Sequence, residues 1–178
     1  MPAKAFTDKL AEQIGYEFSA SQQYIAVAAY YDFETLPRLA DFFYKQAVEE
    51  RNHAMMMVQY LIDLDVEFDM PGVEVPQSGF KDIVAPVALS LEQERRVSDQ
   101  IAELSKIARE TDDYQSGQFM QWFLQEQVEE VATMSDLLRV CQRAADSPLL
   151  VEEFIARENF GGGDEAEAGA PAAAGGAL

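Results

Sequence analysis

Cysteine and histidine are nearly missing from this chain of 178 residues, which has one of each, Cys141 and His53. A single cysteine excludes an internal disulfide, a Cys-x-x-Cys redox pair and any multi-thiolate zinc site. A single histidine excludes His-rich metal centres and makes any Ser-His-Asp arrangement depend on His53. No apolar run approaches the ~18 residues that cross a bilayer. The first ten residues, with Lys4, Asp8 and Lys9, contain no apolar h-region. Neither a membrane segment nor a signal peptide is therefore expected, and the expected location is cytoplasmic. Basic residues are few: 13 Lys+Arg stand against 32 Asp+Glu, a net charge of −19. Phosphate binding needs clustered Lys and Arg, so nucleic acid is not expected as a partner. Cations suit this surface. With 48% hydrophobic residues the chain is no disordered acidic polymer, and its length fits one domain with a substantial core.

Glycine is also scarce until the end. Of ten glycines, six lie beyond residue 160. Residues 161–178 form a Gly/Ala/acid low-complexity tail without a base, which reads as disordered. Removing its three acids leaves −16 on residues 1–160, so the acidity belongs to the folded part. Residues 1–160 read as one all-α domain, rich in Ala, Leu, Glu, Gln and Met with few β-branched alternations. Helices are expected over Phe6–Phe33, Leu36–Leu64, Asp82–Arg109 and Tyr114–Ala144. A short fifth runs from an N-cap at Ser147-Pro148 to Glu158. Pro71, Gly72, Pro76 and Gly79 mark Asp65–Lys81 as a loop. Extended, it can run the length of the bundle, giving two hairpins joined by a crossover, with the second and third helices parallel.

Each long helix has a seam at steps of three and four residues. The first is Leu10, Ile14, Glu17, Ser21, Tyr24, Ala28 and Tyr31. The second is Leu39, Phe43, Gln46, Glu50, His53, Met57, Tyr60 and Leu64. The third is Val87, Leu91, Glu94, Ser98, Ile101, Ser105 and Ala108. The fourth is Met120, Phe123, Gln127, Glu130, Met134, Leu137 and Cys141. The seams are mainly apolar toward their ends and carry potential ligands inside. Counted from the hairpin turns, Glu17 faces His53 and Glu94 faces Glu130. Glu50 and Gln127 lie about one helical turn away. A shift of 77 residues carries Glu17 to Glu94, Glu49 to Glu126, Glu50 to Gln127 and His53 to Glu130, so the hairpins read as degenerate copies.

A single acid in a seam often fixes register or snorkels to water. Four carboxylates at one level are different, because an unpaired buried carboxylate costs several kcal/mol. No Lys or Arg lies between them in the seams. A pair of divalent cations would satisfy all of them. Oxygen-rich ligands with one imidazole suit iron or manganese better than structural zinc. Glu50-x-x-His53 places both groups on one helix face.

These residues resemble the bacterial non-haem ferritins, within the ferritin-like di-iron carboxylate proteins, whose general ligand pattern is a standard case of a metal site in a helical bundle. The resemblance covers about residues 5–158. It rests on Glu17 through Gln23-Tyr24, Glu49-Glu50-Arg51-Asn52-His53, Glu92-Gln93-Glu94 and the 121–130 segment. It implies a ferritin-like four-helix bundle with a long crossover and a short fifth helix near a fourfold axis of a homo-24-mer cage. It implies that Glu17, Glu50 and His53 hold a first iron, with Glu50 bridging, and that Glu94 and Glu130 hold a second, with Gln127 beside it. Glu49, Glu126 and Glu129, with Glu130, match a third iron site. Tyr24 matches a tyrosine next to the centre, where core packing, a hydrogen bond and electron donation are the available roles. Haem is not expected: Gln127-x-x-Glu130 replaces the second Glu-x-x-His of bacterioferritins, and Arg51 holds the position of their haem-binding methionine. Met55, Met56 and Met57 are offset from it.

The implied activity is a ferroxidase that stores iron, oxidising Fe²⁺ with O₂ or H₂O₂ and depositing a ferric mineral. A non-catalytic shell subunit, a diiron oxygenase and a helical partner-binding module are the other readings of the same residues. The tail reads as a plain extension, a docking peptide for an unknown partner, or a modifier of iron release.

Overall fold

The computed structural model of the chain describes residues 2–160 and 169–178. Five helices make up its regular structure: α1 (Lys4–Phe33), α2 (Pro37–Asp63), α3 (Ala85–Glu110), α4 (Tyr114–Arg143) and α5 (Pro148–Glu158). The expected boundaries agree to within three residues. α1 packs along α2, α3 along α4, and α1 against α3, while α5 caps one end against α2 and α4.

Helix starts follow the prolines. Pro37 and Pro148 open α2 and α5 and Pro86 stands in the first turn of α3, where a missing N–H costs nothing. α3 starts later than expected because Asp82 lies outside it and caps it: its Oδ1 accepts from the amides of Val84 at 3.0 Å and Ala85 at 2.8 Å. Asp113 caps α4 through Ser116 N and also accepts from Ala3 N, tying the start of α1 to the second hairpin. Ser147 occupies the N-cap position of α5, but its side chain makes no capping bond, contrary to expectation. α2 is capped from a distance. Glu152 of α5 accepts from Arg38 N at 2.8 Å and Leu39 N at 2.9 Å, which seats α5 on the first turn of α2.

The 64–84 crossover runs along α1 in the same direction. Glu74 N donates to Ser19 Oγ, Gln23 and Gln77 exchange two hydrogen bonds, and Tyr31 OH donates to the Ile83 carbonyl. Gly15 permits this approach: a Cβ there would stand 3.0 Å from Pro71 Cβ and 3.1 Å from the Gly72 carbonyl oxygen. α3 thus begins beside the end of α1 and runs parallel to α2, as the loop length implies.

The core is divided. One apolar cluster holds Tyr31, Leu39, Phe43, Val87, Leu137 and Val151. The other holds Phe6, Leu10, Leu61, Ile101, Leu104 and Met120. Cys141 belongs to the first, where burial pushes its thiol up to about 12, so it packs as a small apolar group.

The expectation of a disordered tail falls partly on 161–168, which lie outside the described residues. Gly169–Leu178 differ from it by lying against α2. Ala174 N donates to the Met55 carbonyl at 3.0 Å, Leu178 N donates to Asn52 Oδ1 at 3.1 Å, and Ala174 is buried. Alanine and glycine have no bulk to hold the two backbones apart. Gly175 and Gly176, both at positive φ, turn the chain so that Leu178 reaches Asn52.

Candidate metal centre

Between the two apolar clusters every long helix carries its polar seam residues. Glu17, Glu50 and Glu94 are at most 1% exposed, His53 2%, and Gln127 and Glu130 are also buried. Helical periodicity requires this: the apolar residues on either side of each acid share its face, so burying them buries the acid.

Glu17, Glu50 and His53 each offer one ligand atom within 4.8 Å of the others. His53 Nδ1 is 3.4 Å from Glu50 Oε2, and the rings of Trp122 and Phe123 pack against the imidazole in T-shaped contacts. Glu94 and Glu130 adjoin this group from the second hairpin. Burial, then the charges of Glu94 and Glu17, raises the Glu50 carboxyl well above its ordinary range. Burial, then the charges of Glu94, Glu49 and Glu126, does the same to Glu130. Glu94 is pushed up to about 7, mainly by burial, with hydrogen bonds from Tyr24 and Gln127 working the other way. Among the described residues Glu17 Oε2, Glu50 Oε2 and Glu94 Oε2 have no hydrogen-bond partner. Among the described residues Glu17, Glu50, Glu94 and Glu130 form no ion pair with Lys or Arg; the Lys and Arg pairs involve other acids, all at least partly exposed. Uncompensated carboxylate oxygens beside a single imidazole fit hard, oxygen-seeking divalent cations.

The expected site residues take three kinds of place. Glu17, Glu50, His53, Glu94 and Glu130 form the buried cluster. Glu49 and Glu126 are half-buried beside Glu130, and Glu129 is exposed on α4 outside it. Gln127 and Tyr24 hold the cluster through hydrogen bonds. Gln127 Oε1 faces Ser98 Oγ at 3.0 Å, and its side chain also bonds to Glu94, so its amide oxygen is engaged away from the acids. Tyr24 has no exposed surface, packs on Phe43 and donates its hydroxyl to Glu94. Packing and hydrogen bonding are both its roles.

Three supporting side chains were not singled out from the sequence. Gln13 Nε2 donates to Glu17 Oε1 at 3.0 Å, Gln46 Nε2 donates to Glu49, and Ser98 contacts Gln127. Each lies four residues from a seam acid on its own helix, and that spacing was the available signal.

Comparison with known proteins follows the same lines. A family profile described as "Ferritin-like domain" matches residues 7–144. The chain is 51% identical to "Ferritin BfrB" of Mycobacterium tuberculosis, over 99% of this chain and 97% of that one. It is 52% identical to "Ferritin BfrB" of Mycolicibacterium smegmatis, over 94% and 91%. It is 36% identical to "Bacterial non-heme ferritin" of Staphylococcus aureus, over 82% and 88%. Among solved structures, an open pore ferritin from the archaeon Archaeoglobus fulgidus superposes with a TM-score of 0.82 at 26% identity, covering 88% of this chain and 96% of that one.

Proposed function

The chain belongs to the ferritin family, and on that premise we propose that it stores iron and oxidises Fe²⁺ at the buried acidic cluster. The observation that carries this reading is the group of unpartnered carboxylate oxygens, Glu17 Oε2, Glu50 Oε2 and Glu94 Oε2, around one imidazole. Iron is substrate and cargo here. Glu17, Glu50 and His53 take one Fe²⁺. Glu94 and Glu130 take a second, with Glu50 between the two hairpins as the shared ligand. Each Fe²⁺ gives up one electron, so O₂ is reduced by two electrons at once and the unfavourable one-electron step is avoided. Two protons complete its conversion to peroxide. H₂O₂ serves as an alternative two-electron oxidant.

Carboxylates suit the task because they are hard ligands for both oxidation states and change readily between terminal and bridging modes. Gln127 and Tyr24 steady Glu94 while it does so. The second site lacks an imidazole, which makes it the one from which Fe³⁺ leaves more readily. Glu49, Glu126 and Glu129, with Glu130, would take a third iron, and the exposed position of Glu129 would let that site gather Fe²⁺ from the surface. The oxidised iron hydrolyses and mineralises inside a 24-subunit cage in the cytoplasm.

The test is the initial rate of Fe²⁺ oxidation under air. A Glu50→Ala/His53→Ala variant should lose the fast phase and oxidise iron only at the rate of a protein-free solution. Equal initial rates in variant and wild type would sink the assigned site. Electron microscopy of the iron-loaded protein checks storage, with a hollow shell around a dense core as the expected image.

A further inference from the structure

Gln13 has no exposed surface and lies one helical turn before Glu17 on α1. Its Nε2 donates to Glu17 Oε1 at 3.0 Å and to Gln100 Oε1 of α3 at 3.2 Å. A carboxylate oxygen only accepts, so the amide end facing Glu17 must be nitrogen, and its two N–H bonds are both used. The contact divides the two oxygens of Glu17. Oε1 is occupied, whereas Oε2 has no partner, and Glu17 belongs to the cluster with Glu50 and His53.

The internal repeat shows that this contact is a local invention. A shift of 77 residues carries Gln13 to Ser90, which is equally buried, but its hydroxyl donates to the Pro86 carbonyl at 2.9 Å. Glu94, the counterpart of Glu17, is held by Tyr24 instead. The two outer carboxylates are therefore gripped by different donors, a carboxamide on one side and a phenol on the other. A carboxylate with both oxygens free can chelate one cation or rotate away. One with an oxygen tied to a fixed donor presents a single ligand atom in a fixed direction.

We propose that Gln13 is a positioning residue for Glu17: by engaging Oε1 it makes Glu17 a one-oxygen ligand of the first metal, with Gln100 anchoring the amide from α3. This rests on the reading of the cluster as an iron site. Gln100 is half-buried and lines a cleft of about 130 Å³ between α1, α3 and the crossover, together with Gln23, Gln93 and Arg96. The anchor can therefore be altered without opening the core.

The experiment uses Co²⁺ as a redox-inert probe, titrated into the full-length, metal-free protein and followed by visible absorption. Gln13→Met keeps the volume and removes the donor, and Gln100→Leu removes only the anchor. The expected result for Gln13→Met is a loss of roughly tenfold in Co²⁺ affinity, the scale typical of outer-shell partners. Its ligand-field band should also weaken as Glu17 turns to chelate and the coordination number rises. Gln100→Leu should shift both in the same direction by less. In Fe²⁺ oxidation the half-saturating iron concentration should rise more than the maximal rate falls. An unchanged Co²⁺ spectrum and affinity in both variants would overturn the proposal, even if Gln13→Met lowered thermal stability, because Gln13 would then be only a core amide. Wild-type protein that binds no Co²⁺ and oxidises no Fe²⁺ would instead overturn the reading of the cluster itself, and the proposal with it.

Discussion

Three acids of the cluster, Glu50, Glu94 and Glu130, hold their protons in an unusual way, and this has a measurable sign. Glu94 is pushed up to about 7, and Glu50 and Glu130 are raised as well, in each case first by burial. In the unfolded chain a glutamate ionises near pH 4.3. Between about 4.3 and 7 the unfolded state therefore binds fewer protons than the folded one, and stability falls as pH rises through that interval. This is opposite to the behaviour of a salt-bridged carboxylate. A divalent cation bound by these acids would displace the retained protons and reverse the trend. Denaturant midpoints of the metal-free protein should be lower at pH 7 than at pH 5, and saturating Co²⁺ should raise the pH 7 value most. The acids themselves were legible in the sequence, because helical spacing put Glu17, Glu50, His53, Glu94 and Glu130 on inward faces at one level. Gln13 and Ser98 were not singled out, since amides and hydroxyls serve buried helices in many ways and only the fold reveals which acid each one meets. For Gln127, spacing gave the position but could not give the direction of its amide oxygen.

At the scale of the element, the helix ends are held by geometry that the sequence hardly advertises. α1, α2 and α3 each close with two reverse bonds, such as Leu36 N to the Tyr31 carbonyl at 2.9 Å and Thr35 N to the Asp32 carbonyl at 3.0 Å. The residue in the left-handed region at these ends is Thr35, Asp65 or Asp112, with φ of 54–60°, and not glycine. A β-branched side chain is the poorest choice there. Thr35→Gly should therefore stabilise the chain by about 1 kcal/mol in a denaturant titration. The start of α2 depends on Glu152, which at 114 positions from Arg38 is too distant for any local pattern to suggest the contact. Glu152→Ala should cost about 1 kcal/mol. It should also speed hydrogen exchange at the Arg38 and Leu39 amides while leaving those of α4 unchanged. The helices were readable from composition and proline positions. The seating of the tail's last ten residues on α2 was not, because Gly/Ala sequence looks alike whether it is solvated or docked.

The whole molecule is built around its least apolar cross-section. All four long helices pass continuously through the acidic level, with one apolar cluster above it and another below. Most helical bundles loosen first at their frayed ends, where packing is thinnest. Here the metal-free subunit has well-packed apolar layers toward both ends and uncompensated carboxyls in the middle. Amides around Glu17, Glu50, Glu94 and Glu130 should accordingly exchange with solvent before those near Tyr31 and Ile101, an inversion that mass-resolved exchange of apo and Co²⁺-loaded protein would reveal. The bound cations would then act as the clasp of the bundle, and each departure of iron would briefly open the subunit from its middle.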